Sequence, residues 1–200
     1  RTDAATNNIS FSYTTPADTN LLVVTNTQAN GAGGSGNNTA SFNSVAMTYT
    51  GEMQQEDGLE SLMWYLLNPA IGAFTLNVNI ATEFNQTTMH TSISSWSGVG
   101  TYQATNTQGN VNDAAISVTV TTTANGLAII NSVGAVAQSS RATPTGGETE
   151  LADFGTNWTA YEIATGASTA LTATYDTGSW HAGRAISFRA LIAGDQAQWF

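Results

Sequence analysis

Apolar and polar residues alternate along most of this chain. Phe74, Leu76, Val78 and Ile80 are separated by Thr and Asn, and Ile116, Val118 and Val120 by Ser and Thr. A period of two sends successive side chains to opposite faces, so each run predicts a half-buried β-strand. Further strands are predicted over residues 9–13, 21–25, 42–49, 62–67, 89–96, 127–133, 158–163, 171–175 and 185–191. About eleven strands at this spacing predict an all-β fold, a two-sheet antiparallel sandwich. Only residues 54–67 compete for a helix. There Met63, Trp64, Tyr65, Leu66 and Leu67 form a compact apolar run with no helical stripe, which predicts a loop leading into a strand that ends at Asn68-Pro69. Asn125-Gly126 is the sharpest turn signal, because both residues tolerate positive φ. Thr177-Gly178 is a second turn signal, and residues 31–38 read as a loop by composition.

Composition narrows the setting. Of 200 residues only 9% are charged and thirty-two are threonine, with no cysteine and no lysine, so neutral hydrogen-bonding groups carry solubility. A chain of this size buries about 70% of its open-chain surface, enough for one core, and residues 1–200 read as a single domain. Fourteen acids against four arginines leave a net charge of −10, which repels phosphate backbones and anionic lipid heads. Nucleic-acid binding is therefore not expected. No apolar run approaches the roughly 18 residues of a membrane span, so no membrane insertion is expected, and the first residues lack the pattern of a signal peptide, as in a mature or trimmed protein. Without cysteine there are no disulfides or thiolate metal sites. The polar, lysine-free composition points to an extracellular or cell-surface location.

The order of features is more specific than any one of them. Residues 10–24 give two strands around a polar turn; Phe42-Asn-Ser-Val-Ala-Met-Thr-Tyr49, Leu62-Met-Trp-Tyr-Leu-Leu-Asn-Pro69 and Gly72-Ala-Phe-Thr-Leu-Asn-Val-Asn-Ile80 follow. Ile93-Ser-Ser-Trp-Ser-Gly98 and a closing Ala185-Ile-Ser-Phe-Arg-Ala190 complete the series. Across residues 9–192 this resembles the concanavalin-like jelly-roll modules of bacterial secreted and surface proteins, and the composition is similar to that of pilus-like filament subunits. The resemblance implies a jelly roll in a structural or adhesive setting, and supplies no active site.

Candidate chemistry is sparse. Glu52, Glu56, Asp57 and Glu60 form the densest acidic cluster, which would bind calcium through hard oxygen ligands; a solvated loop is the simpler reading, and no other cofactor is implied. His90 and His181 sit in no catalytic motif. Trp158 and Trp180, near predicted loops, are the candidate platforms for stacking a sugar, whereas Trp64 and Trp96 read as core. Asn8, Asn37, Asn85 and Asn157 begin Asn-x-Ser/Thr triplets, which accept N-glycans in a host with the transferase.

The ends carry the sharper signal. Ile9, Phe11 and Tyr13 alternate near the start of the chain, and Trp199 and Phe200 make its last two residues apolar. An N-terminal strand within residues 1–13 that pairs with the next molecule's sheet edge, or a tail over residues 193–200 that docks there, would link copies head to tail into a filament. The expected function is a non-enzymatic structural subunit of an extracellular filament or surface layer, with other copies of itself as partner. A carbohydrate-binding jelly-roll module is the alternative, and a viral capsid or fibre subunit a further one.

Overall fold

The computed structural model describes residues 2–4, 8–29, 38–55, 58–80, 88–134, 147–153 and 157–191. They hold β1 (Thr2–Ala4), β2 (Asn8–Thr15), β3 (Leu21–Ala29), β4 (Thr39–Phe42), β5 (Val45–Ala46), β6 (Thr48–Gln54) and β7 (Glu60–Leu67). Then come β8 (Gly72–Asn79), β9 (Thr88–Trp96), β10 (Val99–Thr121), β11 (Leu127–Gly134), β12 (Thr149–Asp153), β13 (Asn157–Ile163) and β14 (Ser168–Ala190). The described residues contain no helix, and every strand pairing is antiparallel. Residues 60–67 are a strand, as their compact apolar run predicts.

Among the described residues three sheets form where two were expected. A central sheet runs β1-β9-β3-β7-β6, a front sheet β2-β8-β4-β5, and a rear sheet β10-β14-β11-β13-β12. The central sheet is covered on both faces. Leu22, Val24, Leu62 and Trp64 pack forward onto Phe42, Leu76 and Val78, while Leu21, Val23 and Met63 pack backward onto Ile129, Ile186 and Phe188. This is why Leu21-Leu-Val-Val24 reads as an unbroken apolar run: a strand buried on both sides has no solvent face to make polar. The front sheet's β2 and β8 keep the clean alternation of strands with one wet face.

The rear sheet supplies its own fourth layer. β10 and β14 pair along almost their whole length, with irregularities between Asn110, Asp113 and Ala115. Beyond them the ribbon folds back, so that Ile116, Val118, Val120, Leu171 and Ala173 cover Ile130, Trp158, Ala160 and Ala185 of the same sheet. Asn106 Nδ2 donates to Thr119 O at 2.8 Å and Ser187 Oγ to Thr121 O at 2.6 Å, tying the two halves together.

Among the described residues fourteen strands stand against the expected eleven or so, for identifiable reasons. The predicted strand over 42–49 is broken by a turn in which Asn43 and Ser44 take φ of 51° and 62°, leaving β4, β5 and β6. The predicted strands at 171–175 and 185–191 are instead one strand, β14, and Thr177-Gly178 lies inside it, where the ribbon folds back. Asn125, at φ 63°, does make the expected turn, with Gly126 N–H donating to Thr123 O at 2.8 Å.

Candidate functional site

The second strand lies at an edge. β2 is the outer strand of the front sheet and pairs with β8 from Asn8↔Asn79 to Thr15↔Gly72. Ile9 is 2% exposed and belongs to the core between front and central sheets, with Phe11 and Tyr13 packed against it. The Tyr13 ring meets Phe42 edge-on at 6.4 Å, and its hydroxyl donates to Ser95 Oγ of the central sheet at 3.0 Å. On the wet face Ser10 Oγ donates to Asn77 Oδ1 at 2.8 Å. β1 pairs with β9 of the central sheet, so the N-terminal segment joins the two sheets. Trp199 and Phe200 lie outside the described residues.

Two expected surface sites are interior. Trp158 is 1% exposed and packs in the folded-back core of the rear sheet, so its ring offers no face to a sugar. Its neighbour Asn157 is also 1% exposed, out of reach of a glycosyltransferase in the folded protein. The cause is position: β13 lies between β11 and β12 in the rear sheet, so what reads as a loop edge is the start of a covered strand. Trp180 is half-buried against Leu59, Val133 and Ala182. His181 is buried and stacks on Tyr175 with centroids 4.1 Å apart. Asn8 is exposed, whereas Asn37 and Asn85 fall outside the described residues.

The acidic cluster is partly assembled. Glu56 and Asp57 lie outside the described residues, but the β6–β7 hairpin brings Glu52 opposite Leu62 and Gln54 opposite Glu60. The Glu52 carboxylate accepts from Tyr49 Oη at 2.7 Å and from Asn38 Nδ2 at 2.9 Å. Burial pushes the Tyr49 phenol well above its usual range, and the Glu52 charge adds to that. Burial, with a smaller contribution from the Glu52 charge, also raises Glu60 to about 7. Among the described residues no three His, Cys, Asp or Glu side chains converge as a metal cluster.

Arg184 of β14 completes this corner, and nothing in its sequence context marks it. It is 5% exposed, donating through Nε to Thr50 Oγ1 at 3.2 Å and through Nη1 to Glu52 O at 3.1 Å. Its guanidinium lies against Gly51, where an added Cβ would come within 2.8 Å of Nη2 and φ is +103°. The glycine, at the register irregularity between Tyr49 and Glu52 of β6, is thus what lets a charged side chain from the rear sheet approach so closely. Burial lowers the Arg184 pKa, while Tyr49, Tyr102 and Glu52 oppose that.

Buried polar groups differ across the central sheet. On its rear side Asn131 Nδ2 donates to Asn26 O at 2.9 Å and Ser61 Oγ at 3.0 Å, and Asn131 Oδ1 accepts from Thr159 Oγ1 at 3.0 Å. Toward the front, both amide atoms of Gln28, Oε1 of Glu60 and Oδ1 of Asn26 have no hydrogen-bond partner among the described residues. Comparison with protein-family models, curated proteins and solved structures finds no match to this chain.

Proposed function

We propose that the chain is a non-enzymatic structural subunit of an extracellular filament or surface layer, linked copy to copy by exchange of its N-terminal edge strand. The observation that carries this reading is β2 itself. It lies at a sheet edge, spans eight paired residues, and inserts Ile9, Phe11 and Tyr13 into the apolar core between the front and central sheets. A strand with those properties is held by the same contacts whether its own chain or a neighbour supplies it, which makes exchange a low-cost route to assembly. Residues 16–20, a turn in which Thr19 N–H donates to Pro16 O at 3.2 Å, are the hinge about which it would swing. Each exchanged copy leaves its own groove for the next, so the contact does not close and a filament grows.

The folded-back β10–β14 ribbon supports a jelly-roll winding, the architecture expected of secreted modules of this kind. Among the described residues no helix is long and apolar enough to cross a membrane. Negative-stain electron microscopy of the concentrated protein should show filaments of uniform width; monodisperse particles at every concentration would contradict the proposal. A carbohydrate-binding role is the second reading, supported by the wet face of the front sheet. There Ser10, Ser12, Thr14, Thr75 and Asn77 are all exposed and uncharged, a surface suited to bonding sugar hydroxyls. A glycan array without a hit would remove it.

A further inference from the structure

Two unusual situations for a buried side chain meet on neighbouring strands. Gln28 of β3 is fully buried, yet neither its amide oxygen nor its nitrogen has a hydrogen-bond partner among the described residues. Glu60 of β7 is 2% exposed with Oε1 in the same condition. The register sets them directly opposite, which places their Cβ atoms about 5 Å apart on one face of the sheet. Two residues back on that face, Asn26 commits Nδ2 to Thr91 Oγ1 at 2.7 Å and leaves Oδ1 without a partner. Leaving such groups dry costs roughly 1–3 kcal/mol each. Three oxygens in that state on two adjacent strands, with the Gln28 Nε2 donor the one nitrogen among them, point to a shared occupant that the oxygens can bind.

Their chemistry identifies its class. All three are hard oxygen donors, one carries negative charge when ionised, and Glu52 adds a second carboxylate near enough to raise the Glu60 pKa. An anion would meet repulsion there, and an apolar ligand would leave the oxygens unpaired. We propose that Gln28, Glu60 and Asn26 form a binding site for a hard divalent cation of the calcium class, on the front face of the central sheet. Calcium accepts 6–8 oxygens in loose geometry, whereas magnesium demands a near-ideal octahedron and sheds water reluctantly. Side chains spaced by strand register, some 5–7 Å apart at their Cβ atoms, suit the larger ion. With few charged ligands the affinity falls in the weak range of about 10⁻⁴–10⁻³ M that extracellular modules show.

The test is calorimetric titration of calcium chloride into full-length, chelator-stripped protein, with magnesium chloride alongside and melting curves as a second readout. Saturable calcium binding is expected, with a higher melting temperature and a weaker response to magnesium. Glu60→Gln and Gln28→Leu, both close in size to the native residues, should each weaken binding at least about tenfold, equivalent to about 1.4 kcal/mol. Glu150→Gln, in the exposed acidic strand β12, should leave it unchanged. No saturable calcium heat, or equal binding by wild type and Glu60→Gln, would overturn the site. Should Glu60→Gln not fold, Gln28→Leu decides on the same terms.

Discussion

The front and rear faces of the central sheet are built from the same strands, yet one is closed and the other open-ended. On the rear, the Asn131 amide is shared among Asn26 O, Ser61 Oγ and Thr159 Oγ1, and Ser61 Oγ returns a bond of 2.8 Å to Asn131 O. That face is covered by strands from the continuous stretch of residues 99–190. The front is covered in part by an edge strand, β2, and its buried Gln28 and Glu60 lack partners among the described residues. A fully satisfied buried network rigidifies, whereas each buried polar group without a partner carries a desolvation cost that calls for an explanation. The rear face is closed by its own polar network, and the front face is where the proposed strand exchange and cation site both lie.

Substitutions can break the contrast, and the largest effect belongs to the rear. Asn131→Leu removes the acceptor of Thr159 Oγ1 and the donor to Ser61 Oγ and Asn26 O. Ser61 keeps Asn131 O and Thr159 keeps Thr25 Oγ1, so the substitution should cost about 2–4 kcal/mol in urea unfolding. A cost below about 1 kcal/mol would show the network to be incidental.

The next effect is one of pH, measured in chelator. Because Glu60 is raised to about 7 from an ordinary 4.5, the unfolded chain releases its proton first as pH rises. Stability is then full below about pH 4.5, falls toward pH 7 and levels off above, with a slope of no more than about 1.4 kcal/mol per unit. Glu60→Gln should remove that slope, and an unchanged profile would place the titration elsewhere.

At the junction between sheets, Gly51→Ala forces a Cβ onto the Arg184 guanidinium at positive φ, and should cost about 1–3 kcal/mol by thermal melting. The smallest effect has the opposite sign. Gln28→Leu in chelator removes an unpartnered buried amide and should leave stability unchanged or raise it by about 1 kcal/mol.

Much of this was legible in the residues. The alternation of Phe74, Leu76 and Val78 marks a strand with one wet face. The unbroken Leu21-Leu-Val-Val24 carried the signal for a strand covered on both faces, a distinction that two-sheet reasoning leaves unused. The core role of Trp64 was legible for the same reason. The burial of Trp158 and Asn157 was not, because it depends on β10 and β14 folding back over β13, a contact between segments distant in sequence. Arg184 and Gln28 were equally hidden: one is read through a glycine far along the chain, the other through the register of β3 on β7.

Strand exchange at the front sheet is tested most directly by a covalent trap. The chain has no cysteine, and Ser10 and Asn77 are in-register, exposed partners joined by a 2.8 Å hydrogen bond, in an arrangement whose Cα spacing of about 4.5–5.5 Å suits a disulfide. The double variant Ser10→Cys, Asn77→Cys would be assembled, oxidised and run on a denaturing gel without reductant. Exchange predicts a ladder of covalent oligomers that collapses to one band on reduction. A single monomer band, with both thiols consumed in an internal disulfide, would contradict it.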